Sequence, residues 1–260
     1  MPASELLISL LAGCLAGLPS GLLGVSPGGI LVPILALLLP FPQHLLQGIS
    51  LLVQVPPTGL SALSIYSKGG RRVTLRAVAL VSTGFVIGGP LGAISARLCT
   101  DRELRWMFVG YLLLLALLAI MKKSKAVPSI EQIDEPSQRS SLLLVGIGMI
   151  AGFTSGLLGI GGGLAITALA VVFLHQKQHQ AQALSLAITT LPLTLPAAWF
   201  YIRQGWHLPW TIIACLVAGL IVGTRIGGLF ANRLSERNLK IAFTTLLLGL
   251  SAYMAATAGR

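Results

Sequence analysis

Between Glu5 and Lys68 the chain carries no Asp, Glu, Lys or Arg, a gap of 62 residues. No water-facing surface can be built from such a stretch, because a soluble domain needs polar side chains over much of its exterior. Further charge-free runs span residues 77–96, 106–121, 140–176, 178–202, 204–224 and 241–259. Roughly 20 apolar residues cross a bilayer as a helix. Charged residues are only 10% of the chain and hydrophobic ones 55%, so a soluble fold is excluded. The chain reads as an all-α polytopic membrane protein with the lipid bilayer as its surroundings.

The net charge of +11 does not point to nucleic acid. Lys and Arg sit between apolar runs, and no run of five or more basic residues builds a face that follows phosphates. Their role is topological, holding loops on the cytoplasmic side. Cys14, Cys99 and Cys215 stand alone in apolar runs, without metal-ligand spacing and in odd number. No metal, cofactor or disulfide framework is expected. The N-terminal apolar run has no Lys or Arg before it and is far too long for a signal peptide, which argues against a cleaved one.

The chain repeats. At an offset of 135, residues 16–24 (AGLPSGLLG) align with 151–159 (AGFTSGLLG), matching at seven of nine positions. The same offset pairs Ser50 with Ser185, Pro57 with Pro192, Tyr66 with Tyr201, Gly88 with Gly223 and Gly92 with Gly227. A single register over such a length is the mark of internal duplication. The division is a first transmembrane repeat at 1–121, a polar linker at 122–139 (KKSKAVPSIEQIDEPSQR) and a second transmembrane repeat at 140–260. Each half holds four apolar segments, about 6–38, 43–66, 73–97 and 104–121, then about 140–173, 181–202, 208–230 and 239–257.

Segments one and five exceed a single span and are interrupted by Gly, Ser and Pro, over 17–29 (GLPSGLLGVSPGG) and 152–163 (GFTSGLLGIGGG). Glycine and proline favour leaving the helix there. Each segment reads as two helices meeting at an unwound turn, entering and leaving on the same side. A hairpin plus three spans crosses the membrane an odd number of times, which inverts the second half. Lys68, Arg71, Arg72, Arg76, Lys122, Lys123, Lys125, Arg139, Lys177, Arg233, Arg237 and Lys240 then share one side, 12 residues against 5 opposite. Single spans in place of the hairpins give 10 against 7. The positive-inside rule favours the hairpins, with both termini away from the cytoplasm.

Unwound backbone at bilayer depth has to be buried in protein or line a watery cavity. Two interruptions at matching places of inverted halves point to the binding site of a secondary transporter. Gly24, Gly28 and Gly29, and Gly159, Gly161, Gly162 and Gly163, bring backbone N–H groups to helix N-termini, where the helix dipole favours negative charge. Ser20, Ser26 and Ser155 add hydroxyl donors. Gln54, Thr189 and Thr190 stand where Pro56-Pro57 and Pro192 free backbone carbonyls, as site-lining groups or interhelical bonds. The apolar runs hold almost no acid to bind a cation, so the expected substrate is a small anion.

Other residues carry blander readings. Gly88, Gly92, Gly223 and Gly227, spaced four apart, are expected at close helix contacts. Arg225 lies near one end of segment seven and is expected to snorkel. His44, His175, His179 and His207, with Tyr66, Trp106, Tyr201, Trp206 and Trp210, are expected at membrane interfaces. No histidine lies mid-segment to activate a serine, so no enzyme is expected. A passive anion channel would use the same helix ends as a carrier, and the residues leave that choice open, as they do the oligomeric state.

The stretches SGLLGVSPGGILVPIL (20–35), SGLLGIGGGLAI (155–166), GISLLVQVPPTGLSALSIYSKGG (48–70) and VGTRIGGLFANRLSERNLKIAFTTLLLGLSAY (222–253) resemble the TauE/SafE sulfite exporter family, also called the 4-toluene sulfonate uptake permease family. The likeness covers nearly the whole chain. The family usually has Gly-x-Gly-Gly-Gly followed by Pro in both repeats. Here Ser26-Pro27 replaces two glycines of the first, and Ala168 stands at the proline position of the second. The resemblance implies transport of organosulfur anions of the sulfite, sulfonate or sulfoacetate type across a bacterial inner membrane; export driven by the proton motive force is the expectation, and the residues leave direction and coupling ion open.

Overall fold

The computed structural model describes residues 3–23, 25–39, 41–56, 74–121, 138–174, 176, 178–203, 209–231 and 236–258. Among these it is all-helical, with eleven helices: α1 (Ala3–Leu23), α2 (Gly28–Leu38), α3 (Gln43–Val53), α4 (Leu75–Ala96), α5 (Asp101–Met121), α6 (Gln138–Leu158), α7 (Gly163–Phe173), α8 (Gln178–Thr189), α9 (Leu195–Ile202), α10 (Trp210–Ala231) and α11 (Glu236–Ala258). Four stretches, Glu5–Leu23, Leu75–Ala96, Ser141–Leu158 and Trp210–Phe230, are long and apolar enough to cross a membrane. At 1.5 Å per residue, the 21 residues of α1 reach about 31 Å, a full hydrocarbon core, and the 11 of α2 about half of it.

The interruptions are narrower than the sequence suggests. α1 stays helical through Pro19 to Leu23, and α6 through Leu158. Ser20 and Ser155 therefore sit on the last helical turns, not in unwound chain. The glycines before each break serve a different purpose, close packing, and that packing holds the helix together. Gly13, Gly17 and Gly21 of α1 lie against Leu216, Leu220 and Thr224 of α10, while Gly219, Gly223 and Gly227 of α10 lie against Leu10, Cys14 and Leu18 of α1. In the same way Gly84, Gly88 and Gly92 of α4 meet Val145, Met149 and Phe153 of α6, and Gly148, Gly152 and Gly156 answer at Val81, Phe85 and Gly89. Residue numbers rise together along both seams, so each pair is parallel. Added methyls at these glycines would run into backbone of the facing helix. The expected packing role of Gly88, Gly92, Gly223 and Gly227 is what the structure has.

The chain folds back at the second break. Gly162 sits beside the carbonyl of Ala151, where an added Cβ would be 3.0 Å away, although α6 runs on to Leu158. A helix continuing straight ahead would carry Gly162 beyond Leu158 rather than two turns behind it. α7 then lies along the early part of α6, where Ile166, Leu169 and Ala170 share a core with Leu144 and Ile147. From there α8 returns, and Ser185 Oγ donates to Gly163 O at 3.1 Å. α2 and α3 form the matching hairpin, with Ser26 at the start of one meeting Gln54 at the end of the other. Segment six is itself broken between α8 and α9 around Pro192, more than a freed carbonyl; of segment two, 57–66 lies outside the described residues.

The exterior is apolar and the interior partly polar, the reverse of a soluble protein. Leu11, Leu15, Leu91, Leu117 and Leu229 are each more than half exposed, whereas Gln43, Gln47, Ser50, Ser155, Gln182 and Ser185 are fully buried. A bilayer is the solvent that fits such a surface. Trp106 and Trp210 are exposed, as interface anchors should be. Tyr201 is not one: it is buried at 3% exposure between α3 and α6, because its hydroxyl has two protein partners there. Arg225 is exposed on α10. His44, at the start of α3, bonds Asp101 of α5 through Nδ1 at 2.6 Å and the Ala96 carbonyl of α4 through Nε2 at 3.0 Å. Tyr66, Trp206, His175 and His207 lie outside the described residues.

Candidate functional site

The two breaks meet. Ser26 Oγ lies within hydrogen-bonding reach of Gln54 Oε1 and of Ile160 O, the latter at 2.9 Å across 134 residues of sequence. Ser50 Oγ donates to Gly159 O at 2.8 Å. Gln54 Nε2 donates to Ser50 O at 2.8 Å and reaches Ser50 Oγ at 3.2 Å. Gly28 faces the Gly159 and Ile160 carbonyls so closely that a Cβ would lie 2.7 and 2.5 Å from them. A Cβ on Gly161 would collide with Gln54 Oε1 and Ser26 Oγ, and one on Gly163 with Ser26 itself.

Local conformation differs between the halves. Gly159, Gly161 and Gly162 have φ of 71°, 80° and 74°, the left-handed region that side chains disfavour. Gly162 is the N-cap of α7, whereas its repeat counterpart Pro27 caps α2 with φ −68° and ψ −20°. Ser26 and Pro27 therefore give the first break a right-handed cap that the triple glycine does not. α2 opens with Ile30 N–H and Leu31 N–H both donating to Pro27 O, at 3.0 and 2.8 Å, and α7 with Ile166 N–H donating to Gly162 O at 2.9 Å. The N–H groups of Gly28 and Gly29, and of Gly163, precede these bonds at the open N-terminal ends of the two helices.

Other expected site residues are placed as follows. Ser20 Oγ donates to Val25 O at 2.5 Å, closing the end of α1. Ser155 is fully buried and its hydroxyl has no protein partner. Thr189 and Thr190 hydroxyls both donate to Leu186 O, at 3.1 and 2.8 Å, so their protons are committed to the end of α8. Thr189 nevertheless lines a small cavity with Gln54, Gly161, Pro27 and Phe85. That cavity has room for about one water molecule. Gly24 lies outside the described residues.

Helices broken at glycine, folded back and joined face to face between two halves of one chain are the setting in which the comparisons with known proteins fall. A family model described as sulfite exporter TauE/SafE matches residues 9–254. The chain belongs to the TauE/SafE family. It is also similar to three curated relatives, each a probable membrane transporter protein. Two are from Bacillus subtilis: YdhB, 26% identical with 91% of this chain and 95% of the relative covered, and YunE, 27% identical with 93% and 94% covered. The third is from Haemophilus influenzae, 26% identical with 96% and 95% covered. A TauE/SafE chain with this apolar exterior is a multi-pass membrane transporter.

Three polar residues at this TauE/SafE site were not among the site residues expected from the sequence. Ser50 holds the second break through Gly159. Gln47 is fully buried, accepts from Tyr201 Oη at 3.0 Å and packs its backbone against Gly159. Tyr201 Oη also lies 2.9 Å from Gly156 O. The available signal for Gln47 and Ser50 was the i, i+4, i+7, i+11 spacing of Gln43, Gln47, Ser50 and Gln54 in a segment whose remaining residues, His44 apart, are apolar or glycine.

Proposed function

We propose that this protein is a secondary transporter that carries small organosulfur oxyanions, of the sulfite, sulfonate or sulfoacetate type, bound between the two breaks. The observation that carries the reading is the contact of Ser26, Gly28 and Gln54 with Gly159–Gly163. Glycine backbone and helix N-termini offer donors to an anion, and none of the residues at this contact bears a negative charge that would hold a cation. In the present conformation the breaks satisfy each other, and among the described residues the cavity at their contact holds about one water. That favours a carrier, which has to open to load, over a passive channel.

The inverted arrangement has support from two sides. Both parallel seams join the first helix of one repeat to the helix of the third apolar segment of the other, a reciprocal pairing consistent with two-fold pseudo-symmetry. The count of basic residues, 12 against 5, favours a cytoplasmic linker and outward termini in a bacterial inner membrane. The direction is export, driven by the proton motive force. Outward movement of an anion is downhill in a membrane potential that is negative inside, so this component of the proton motive force drives export without a titrating residue at the site.

Ligand binding to the native state raises its melting temperature. Sulfite or methanesulfonate should therefore stabilise the purified protein in detergent, with a saturable concentration dependence. Stabilisation by cations or neutral solutes alone would sink the anion reading.

A further inference from the structure

We propose that the buried polar stripe Gln43–Gln47–Ser50–Gln54 on α3 lines the route by which the oxyanion travels between one membrane face and the central site, with Gln47 as its specificity-determining residue. This rests on the anion reading above and extends it from the site to its access path. The four positions fall within about 60° of arc on a helix of 3.6 residues per turn. All four are buried, three of them fully and Gln54 at 5%.

Interhelical bonding explains only part of the stripe. Ser50 and Gln54 are satisfied by Gly159, Ser26 and each other. Among the described residues Gln43 has neither amide atom paired, and Gln47 Nε2 and Ser155 Oγ are also without partners. A buried unpaired amide costs stability that leucine in the same place would not. Such groups fit a wall that water or an anion contacts during the cycle. Neutral amides suit this task, because they donate to an oxyanion without the grip of a fixed positive charge, so that the ion can leave.

The stripe also has the right reach and a matching partner. Residues 43–54 cover about 16 Å, half of a roughly 30 Å hydrocarbon core. At the offset of 135 the same pattern recurs on α8 as Gln178, Gln182, Ser185 and Thr189. The inner ends of the two stripes, Gln54 and Thr189, line the same small cavity. Two half-length polar tracks meeting at one central point are what alternating access needs.

Thiol labelling tests the path without assuming a substrate. With Cys14, Cys99 and Cys215 replaced by alanine, Gln43→Cys and Gln47→Cys are exposed in membranes to anionic sulfonatoethyl methanethiosulfonate. Leu46→Cys and Ile49→Cys, on the apolar faces of the same helix, serve as controls. Labelling at the stripe positions alone is expected; equal labelling on both faces, or none at Gln43→Cys and Gln47→Cys, overturns the proposal. In parallel, sulfite uptake into proteoliposomes is measured per folded molecule. Gln47→Leu should lower flux about tenfold or more with a melting temperature close to wild type, since it removes an unpaired Nε2 donor, while Tyr201 Oη, which loses Gln47 Oε1, keeps Gly156 O as acceptor. Wild-type flux in Gln47→Leu would make the stripe structural. Stripe-selective labelling with no sulfite or sulfonate flux in the wild type would keep the path and reject the substrate class.

Discussion

Gly162 and Gly29 flank the same contact, yet side chains at the two positions meet different obstacles. At Gly162 a Cβ collides with the Phe85 ring and the backbone is left-handed at φ 74°. The left-handed conformation alone costs a non-glycine residue about 1–2 kcal/mol. Gly162→Ala, and Gly162→Val still more, should lower folded yield and melting temperature, which makes them poor reporters of binding. At Gly29 the Cβ meets chiefly Leu164 Cδ1, the far end of a flexible side chain. Gly29→Ala should fold with a melting temperature close to wild type and weaken sulfite-induced stabilisation. Equal melting temperatures for Gly29→Ala and Gly162→Ala would contradict this. Ser155→Ala, which removes a hydroxyl without a protein partner, should leave stability unchanged or slightly raised and reduce anion affinity modestly.

Among the elements, the two glycine seams are the rigid parts and the half-length hairpins α2–α3 and α7–α8 the candidates for movement. Seam glycines bring facing backbones into contact, where a methyl group has no room. Gly148→Ala in α6 should destabilise by about 1–3 kcal/mol through overpacking. Gly146, two residues earlier in the same helix, has nothing within 4 Å of its would-be Cβ. Gly146→Ala should stabilise by about 0.5–1 kcal/mol through helix propensity. Thermal melts of the two variants in one detergent decide the matter, and shifts of the same sign would refute the seam. Gly88→Ala should behave like Gly148→Ala, losing yield but keeping anion affinity in the protein that folds.

At the scale of the molecule, sequence repeats and packing units do not coincide. α1 of the first half closes on α10 of the second, and α4 of the first on α6 of the second. The two halves are interlocked, so the repeats at 1–121 and 140–260 expressed separately should not fold alone, whereas their co-expression should restore anion-induced stabilisation. The linker at 122–139 should be shielded from an impermeant thiol reagent applied to intact cells, and both termini accessible. Labelling of the linker from outside would overturn the inverted topology. Because sulfite changes its charge near neutral pH and methanesulfonate stays ionised, acidification should change sulfite flux but leave flux of methanesulfonate nearly constant.

The spans, the breaks and the duplication are legible along the chain because each has a length scale or a residue chemistry of its own. Charge-free runs near 20 residues answer to bilayer thickness, Gly and Pro to backbone freedom, and the offset of 135 to duplication. What faces what is a different matter. Lipid is as apolar as a packed helix surface, so hydropathy does not separate the lipid side of a helix from its buried side. Only the tertiary structure decided that Gly17 and Gly152 belong to seams rather than breaks, that α7 turns back along α6, and that Tyr201 lies inside. It also decided that Gln47, one polar residue in an apolar segment, belongs to a continuous buried stripe reaching the site. Those facts depend on contacts between residues far apart in sequence, such as Ser26 with Ile160, and no local pattern encodes them.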